Sequence, residues 1–78
     1  MTSKELQNYF ATRIGKTFPY WCAYDFPHGT MTAITPYQFD GEEKGHRKAQ
    51  IRAYITFSDG WKGDYTLDAH SLFLWLEC

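Results

Sequence analysis

The chain is expected to fold as α+β: a four-stranded antiparallel meander sheet with an N-terminal and a C-terminal helix packed on one face, making two layers. Three observations predict it. Ile51–Phe57 and Trp61–Leu67 alternate, are rich in β-branched and aromatic residues, and are joined by Ser58-Asp59-Gly60, a hairpin signature. At the N-terminus a Thr-x-x-Glu start leads into an apolar stripe at helical spacing. At the C-terminus Asp68 opens a last apolar stretch as an N-cap would. With 78 residues there is room for a single domain, residues 1–78.

The first element follows from Thr2-Ser3-Lys4-Glu5, a capping box in which Thr2 caps and Glu5 reaches back. Leu6, Phe10 and Ile14 recur at helical spacing with Tyr9 beside them. Gly15 is a natural stop, and Arg13 and Lys16 complement the dipole there. A helix over about residues 3–14 results. Residues 17–39 are rich in Tyr, Phe, Trp and Thr and favour strands. Phe26-Pro27-His28-Gly29-Thr30 carries proline and glycine where a turn wants them. That predicts a second hairpin, about 18–26 with 30–38, pairing Tyr24 with Thr32, Ala23 with Ala33 and Cys22 with Ile34. Neither face of it is plainly apolar, so which one is buried stays open. Pro19 and Pro36 mark an edge strand or an irregular end.

Asp40-Gly41-Glu42-Glu43-Lys44-Gly45 has no apolar residue and is a loop. It is either a solvated connection or an acidic finger for a basic partner. The hairpin after it has its register set by a type I turn closed at Gly60, which takes positive φ without steric cost. Phe57 then faces Trp61, Ile55 faces Gly63, Ala53 faces Tyr65 and Ile51 faces Leu67, all on one side of the sheet. Gly63 leaves a gap there that a helix side chain is expected to fill. The other side pairs Arg52 with Thr66, Tyr54 with Asp64 and Thr56 with Lys62. After Asp68, Leu72, Trp75 and Leu76 share a helical face with Phe73 beside it. A final strand with Leu72, Leu74 and Leu76 alternating competes, but the cap and the Ala, Leu and Glu content favour a helix.

Composition narrows the function classes. A net charge of −1 gives no general attraction to nucleic acid. No run is apolar enough to cross a membrane, so no membrane partner is expected and the location is read as cytoplasmic. Cys22 and Cys78 stand far apart, and two cysteines do not make a disulfide framework. Cys22, His28, His46, His70 and Cys78 contain none of the close ligand pairs a structural zinc site needs; His28 reads as a turn residue, His46 as a loop residue and His70 as a first-turn helix residue. No nucleophile motif or phosphate loop is present. Glu42 and Glu43 sit on a loop, where preorganisation is poor. No enzyme activity, cofactor or metal is therefore expected.

The helix–strands–helix order is similar to that of double-stranded-RNA-binding domains. That family's lysine cluster at the start of the last helix is replaced here by Asp68-Ala69-His70-Ser71, so the resemblance is set aside. Protein binding has positive support. Aromatic residues make up 19% of the chain, more than so small a core needs, and exposed Tyr and Trp suit a contact surface; an ordinary solvated sheet face is the bland alternative. The residues expected to meet a partner are Arg52, Tyr54, Lys62 and Asp64 on the outer sheet face, Trp21 and Tyr24 near an edge that could accept a strand, and Glu42 and Glu43 in the acidic loop. In size, aromatic richness and lack of catalytic apparatus the chain resembles small anti-defence proteins of phages and mobile elements, such as anti-CRISPRs. The resemblance implies an inhibitor that sterically occludes a host protein or protein complex. A small DNA-binding regulator is the alternative, and a homodimer joined through exposed aromatics is a third reading.

Overall fold

The computed structural model describes residues 2–21, 27–41 and 48–77. In chain order the elements are α1 (Ser3–Ala11), β1 (Phe18–Pro19), β2 (Met31–Asp40), β3 (Gln50–Phe57), β4 (Lys62–Asp68) and α2 (Ala69–Glu77). The strands form one antiparallel sheet in the order β1-β2-β3-β4, the meander expected. Both helices contribute to one buried cluster on the same sheet face: Leu6 and Phe10 from α1, Ala69 and Leu72 from α2, with Ile34, Ile51, Ala53, Ile55 and Phe57 beneath them. Burying each large side chain of this set contributes roughly 1.5–3 kcal/mol.

Helix α1 starts as the capping rule requires, with Thr2 Oγ1 accepting from Glu5 N at 3.2 Å. It ends earlier than expected, at Ala11 rather than near residue 14. The chain turns over at residues 12–15, leaving Ile14 38% exposed, so its apolar spacing did not extend the helix. Arg13 closes the end by donating to the Tyr9 carbonyl at 2.6 Å, with its guanidinium 3.6 Å from the Tyr9 ring centroid. Tyr9 also ties the helices together. Its hydroxyl donates to Glu77 Oε1, and its ring meets Phe73 edge-on at 4.8 Å. Burial, then the bond to Glu77, pushes the Tyr9 hydroxyl pKa up.

The β3–β4 hairpin has the register read from its turn: Ile51 opposite Leu67, Ala53 opposite Tyr65, Ile55 opposite Gly63, and Tyr54 opposite Asp64. Gly60 takes φ +90° and donates to the Phe57 carbonyl, while Phe57 N–H donates to Trp61 O, both at 2.9 Å. The Phe57 and Trp61 rings lie 5.7 Å apart on the same side. The gap over Gly63 is filled differently from the expectation. A Cβ there would fall 2.3 Å from Trp61 Cη2 and 2.6 Å from Tyr65 Cε2, so two rings of the strand's own flanks, not a helix side chain, cover the glycine.

The second hairpin is where sequence reasoning misplaced the chain. Ile34 pairs with Phe18 and Ala33 with Pro19, and Tyr20 N–H donates to Thr32 O at 3.0 Å. The pairings of Ile34 with Cys22, Ala33 with Ala23 and Thr32 with Tyr24 are thereby replaced; residues 22–26 lie outside the described residues. The facing of β2 also departs from simple alternation. Its pairing with β3 shifts between Met31 and Ala33 and again between Pro36 and Gln38. Each bulge adds a residue and flips the alternation. Met31, Ile34 and Pro36 therefore all face the core with Phe39 beside it, opposite Phe57, Ile55, Ala53 and Ile51. A period of two cannot reveal a face that uses positions 31, 34, 36 and 39. Pro36 sits at a bulge beyond the end of β1, an irregular position that tolerates a missing N–H.

The β3–β4 turn and residues 28–30 are clasped together. Ser58 N–H donates to Thr30 O at 2.9 Å, Thr30 N–H donates to Ser58 Oγ at 3.1 Å, and His28 Nδ1 donates to Asp59 Oδ2 at 3.0 Å. The His28 ring stacks on Trp61 with centroids 4.1 Å apart. At the other end, Asp68 Oδ1 accepts from His70 N at 2.8 Å and Ser71 N at 3.3 Å. This N-cap converts the chain directly from strand to helix, so residues 69–77 are helical rather than a final strand.

Candidate functional site

The face of the sheet turned away from the helices carries an ordered cluster from three strands. Pairing sets the rows: Thr35, Tyr54 and Asp64 lie side by side, as do Gln38, Arg52 and Thr66. Tyr37 stands between those rows at the second bulge, and the bulge turns its ring outward. It stacks on Tyr54 with centroids 4.6 Å apart and planes 23° from parallel. Its hydroxyl reaches over β3 to donate to Asp64 Oδ1 at 2.7 Å. Arg52 Nη2 donates to the other oxygen, Oδ2, at 3.0 Å. Lys62 Nζ lies 4.9 Å from the Tyr54 ring centroid and the Arg52 guanidinium 5.6 Å from that of Tyr37.

Asp64 thus anchors the array from the edge strand, holding a tyrosine and an arginine with one carboxylate. The Tyr37 hydroxyl pKa is raised, chiefly by its hydrogen bond to Asp64. Two stacked rings flanked by two cations and mounted on strands lose little side-chain freedom on contact, which limits the entropic cost of binding. Chemically, the array offers a ring surface, a guanidinium and an ammonium. These groups suit a polar, aromatic protein contact.

Of the side chains proposed from sequence, the structure brings Arg52, Tyr54, Lys62 and Asp64 into this one cluster. Trp21 does not join it. That residue is 75% exposed just past β1, beside a cavity of about 430 Å³ lined by Phe18, Pro19, Tyr20, Trp75 and Leu76. The Tyr20 ring stacks on Trp75 there at 5.6 Å. Tyr24, Glu42 and Glu43 lie outside the described residues. Sequence reasoning missed Tyr37, because strict alternation along β2 cannot say which way a residue at a bulge points. Pro36 immediately before it was the available signal of irregularity.

On the opposite, helix-bearing face, an apolar cavity of about 330 Å³ opens between the hairpin tip and α2, lined by His28, Phe57, Trp61, Tyr65 and Trp75 among others. Among the described residues, no three His, Cys, Asp or Glu side chains cluster as metal ligands would, and no helix is long and apolar enough to cross a membrane. The chain matches no protein-family model, no curated protein and no solved structure.

Proposed function

We propose that this chain is a small non-enzymatic protein-binding module whose outer sheet face contacts a host protein or protein complex and blocks it sterically. In this reading it is an inhibitor of the kind phages and mobile elements direct against host defence. The observation that carries the reading is the Tyr37–Tyr54 stack, braced through Asp64 and Arg52. Tyrosine and arginine are the residue types that most often dominate binding energy when an interface covers them.

The test uses the full chain as bait in an extract of its native host. The reading expects one protein partner whose binding is lost or weakened at least about tenfold by Tyr54→Ala or Arg52→Ala, as for interface anchors worth more than 1 kcal/mol. Leu74→Ala, on the exposed side of α2, serves as the control and should leave binding intact. A partner equally well bound by all three variants would place the contact elsewhere. The alternative, a small DNA-binding regulator, draws on Arg52 and Lys62. Arg52 is already paired with Asp64, which among the described residues leaves Lys62 as the cluster's cation without an ion pair and disfavours a phosphate-tracking surface. Steep salt-dependent binding to duplex DNA, with no protein partner recovered, would reverse the order of the two readings.

A further inference from the structure

Strand β4 ends the sheet, and among the described residues no strand lies beyond it. Phe57 N–H donates to Trp61 O and Phe57 O accepts from Gly60 N, so residue 57 makes its ladder bonds to the 60–61 corner and the next hydrogen-bonded pairs are 55 with 63 and 53 with 65. In an antiparallel ladder such pairs alternate. Gly63 and Tyr65 therefore point their N–H and C=O groups at β3, while Lys62, Asp64 and Thr66 point theirs outward. An edge of this kind is a template for another strand, and proteins usually blunt it with charge. Here the guarding lysine is followed two residues on by an acid.

We propose that β4 pairs antiparallel with β4 of a second copy of this chain, about a two-fold axis at Gly63, joining the two sheets into one. Several symmetric registers use the outward groups, and charge separates them; an axis at Thr66 sets Asp64 opposite the partner's Asp68. An axis at Lys62 sets two lysines opposite each other, and one at Asp64 sets two aspartates opposite each other; like charges directly across a ladder are destabilising. An axis at Tyr65 sets Lys62 against the partner's Asp68, the last residue of β4, where the chain turns into α2 and the ladder ends. With the axis at Gly63, Lys62 lies opposite the partner's Asp64, and Asp64 opposite the partner's Lys62. Asp64 holds Tyr37 and Arg52 with one bond to each oxygen, and a carboxylate has acceptor capacity for a third donor.

The same register serves the other face. Trp61, 42% exposed in the single chain, meets the partner's Tyr65, and the reciprocal contact repeats it. The two glycines face each other at the axis, and the rings that lean over each of them close into one aromatic patch. This interface rests on the edge of β4 rather than on the Tyr37–Tyr54 stack, but it shares Lys62 and Asp64 with the outer-face cluster; the amide-exchange readout, which needs neither side chain changed, distinguishes the two.

Sedimentation equilibrium of the full chain from micromolar to millimolar concentration tests the pairing, together with residue-resolved amide exchange on the same samples. The expected result is a reversible shift to twice the monomer mass, with the Lys62 and Asp64 N–H groups exchanging slowly in the dimer and fast on dilution. Lys62→Asp and Asp64→Lys should each weaken dimerisation roughly tenfold or more by placing like charges across the ladder, and mixing the two variants should restore it. A monomer across the whole range would overturn the proposal. So would a dimer in which the Lys62 and Asp64 amides exchange as fast as in the monomer. That exchange readout needs no variant to fold.

Discussion

Gly29 and Gly60 take nearly the same positive φ, +94° and +90°, but in different surroundings. A Cβ on Gly60 meets nothing within 4 Å, whereas one on Gly29 would fall 2.0 Å from Ser58 Oγ. Replacing each with alanine therefore separates backbone strain from packing. A left-handed L-residue costs about 1–2 kcal/mol, and the stiffer unfolded chain returns about 0.4–1, so Gly60→Ala should lose on the order of 1 kcal/mol. Gly29→Ala carries the same strain and must also push Ser58 Oγ away from Thr30 N, a 3.1 Å bond worth about 1 kcal/mol. Its loss should come to about 2–3 kcal/mol. For a domain of this size each kcal/mol lowers Tm by roughly 4–8 °C, so thermal and urea unfolding both resolve the difference. In a Ser58→Ala background the Cβ contact relaxes to the 3.4 Å of Ser58 Cβ, and Gly29→Ala should then cost no more than Gly60→Ala. Equal losses for the two glycines in the wild-type background, or a Gly29→Ala penalty that Ser58→Ala leaves unchanged, would refute the clasp between the two turns.

The remaining predictions concern caps and titration. Thr2→Ala and Asp68→Ala should each destabilise by about 0.5–2 kcal/mol in urea unfolding, with Asp68→Ala the larger because its carboxylate serves two helix N–H groups. The Asp59 pKa is lowered from its ordinary 3.8, first by the Trp61 N–H bond and then by His28. Its stabilising contribution is therefore present above that value and lost as pH falls through the lowered one. Asp59→Asn should flatten that acid limb of the unfolding midpoint against pH, and an unchanged limb would show that Asp59 is not the group responsible. Tyr37 should ionise above the usual 10.0 in a spectrophotometric titration, and Asp64→Asn should bring it back down, since the bond to Asp64 is the main cause.

The parts of the fold legible in the sequence are those whose determinants sit within a few residues of one another. Thr2 and Asp68 cap helices through backbone N–H groups two to three positions away. The Ser58-Asp59-Gly60 turn sets the β3–β4 register because a short loop leaves the strands one way to meet. Four members of the outer-face cluster, Arg52, Tyr54, Lys62 and Asp64, were readable for the same reason. Ile14 misled because an apolar residue at the right spacing does not hold a helix together once the chain turns at Thr12.

What tertiary structure alone decided is the course of β2. Its bulges exist because Met31, Ile34, Pro36 and Phe39 must each reach the core opposite residues of an already determined β3. That demand comes from a strand more than ten positions away, and no local pattern encodes it. The second bulge also leaves Tyr37 facing outward onto Tyr54. Local chemistry determined where this chain turns and caps; only long-range packing decided which residues its second strand hides and which it shows.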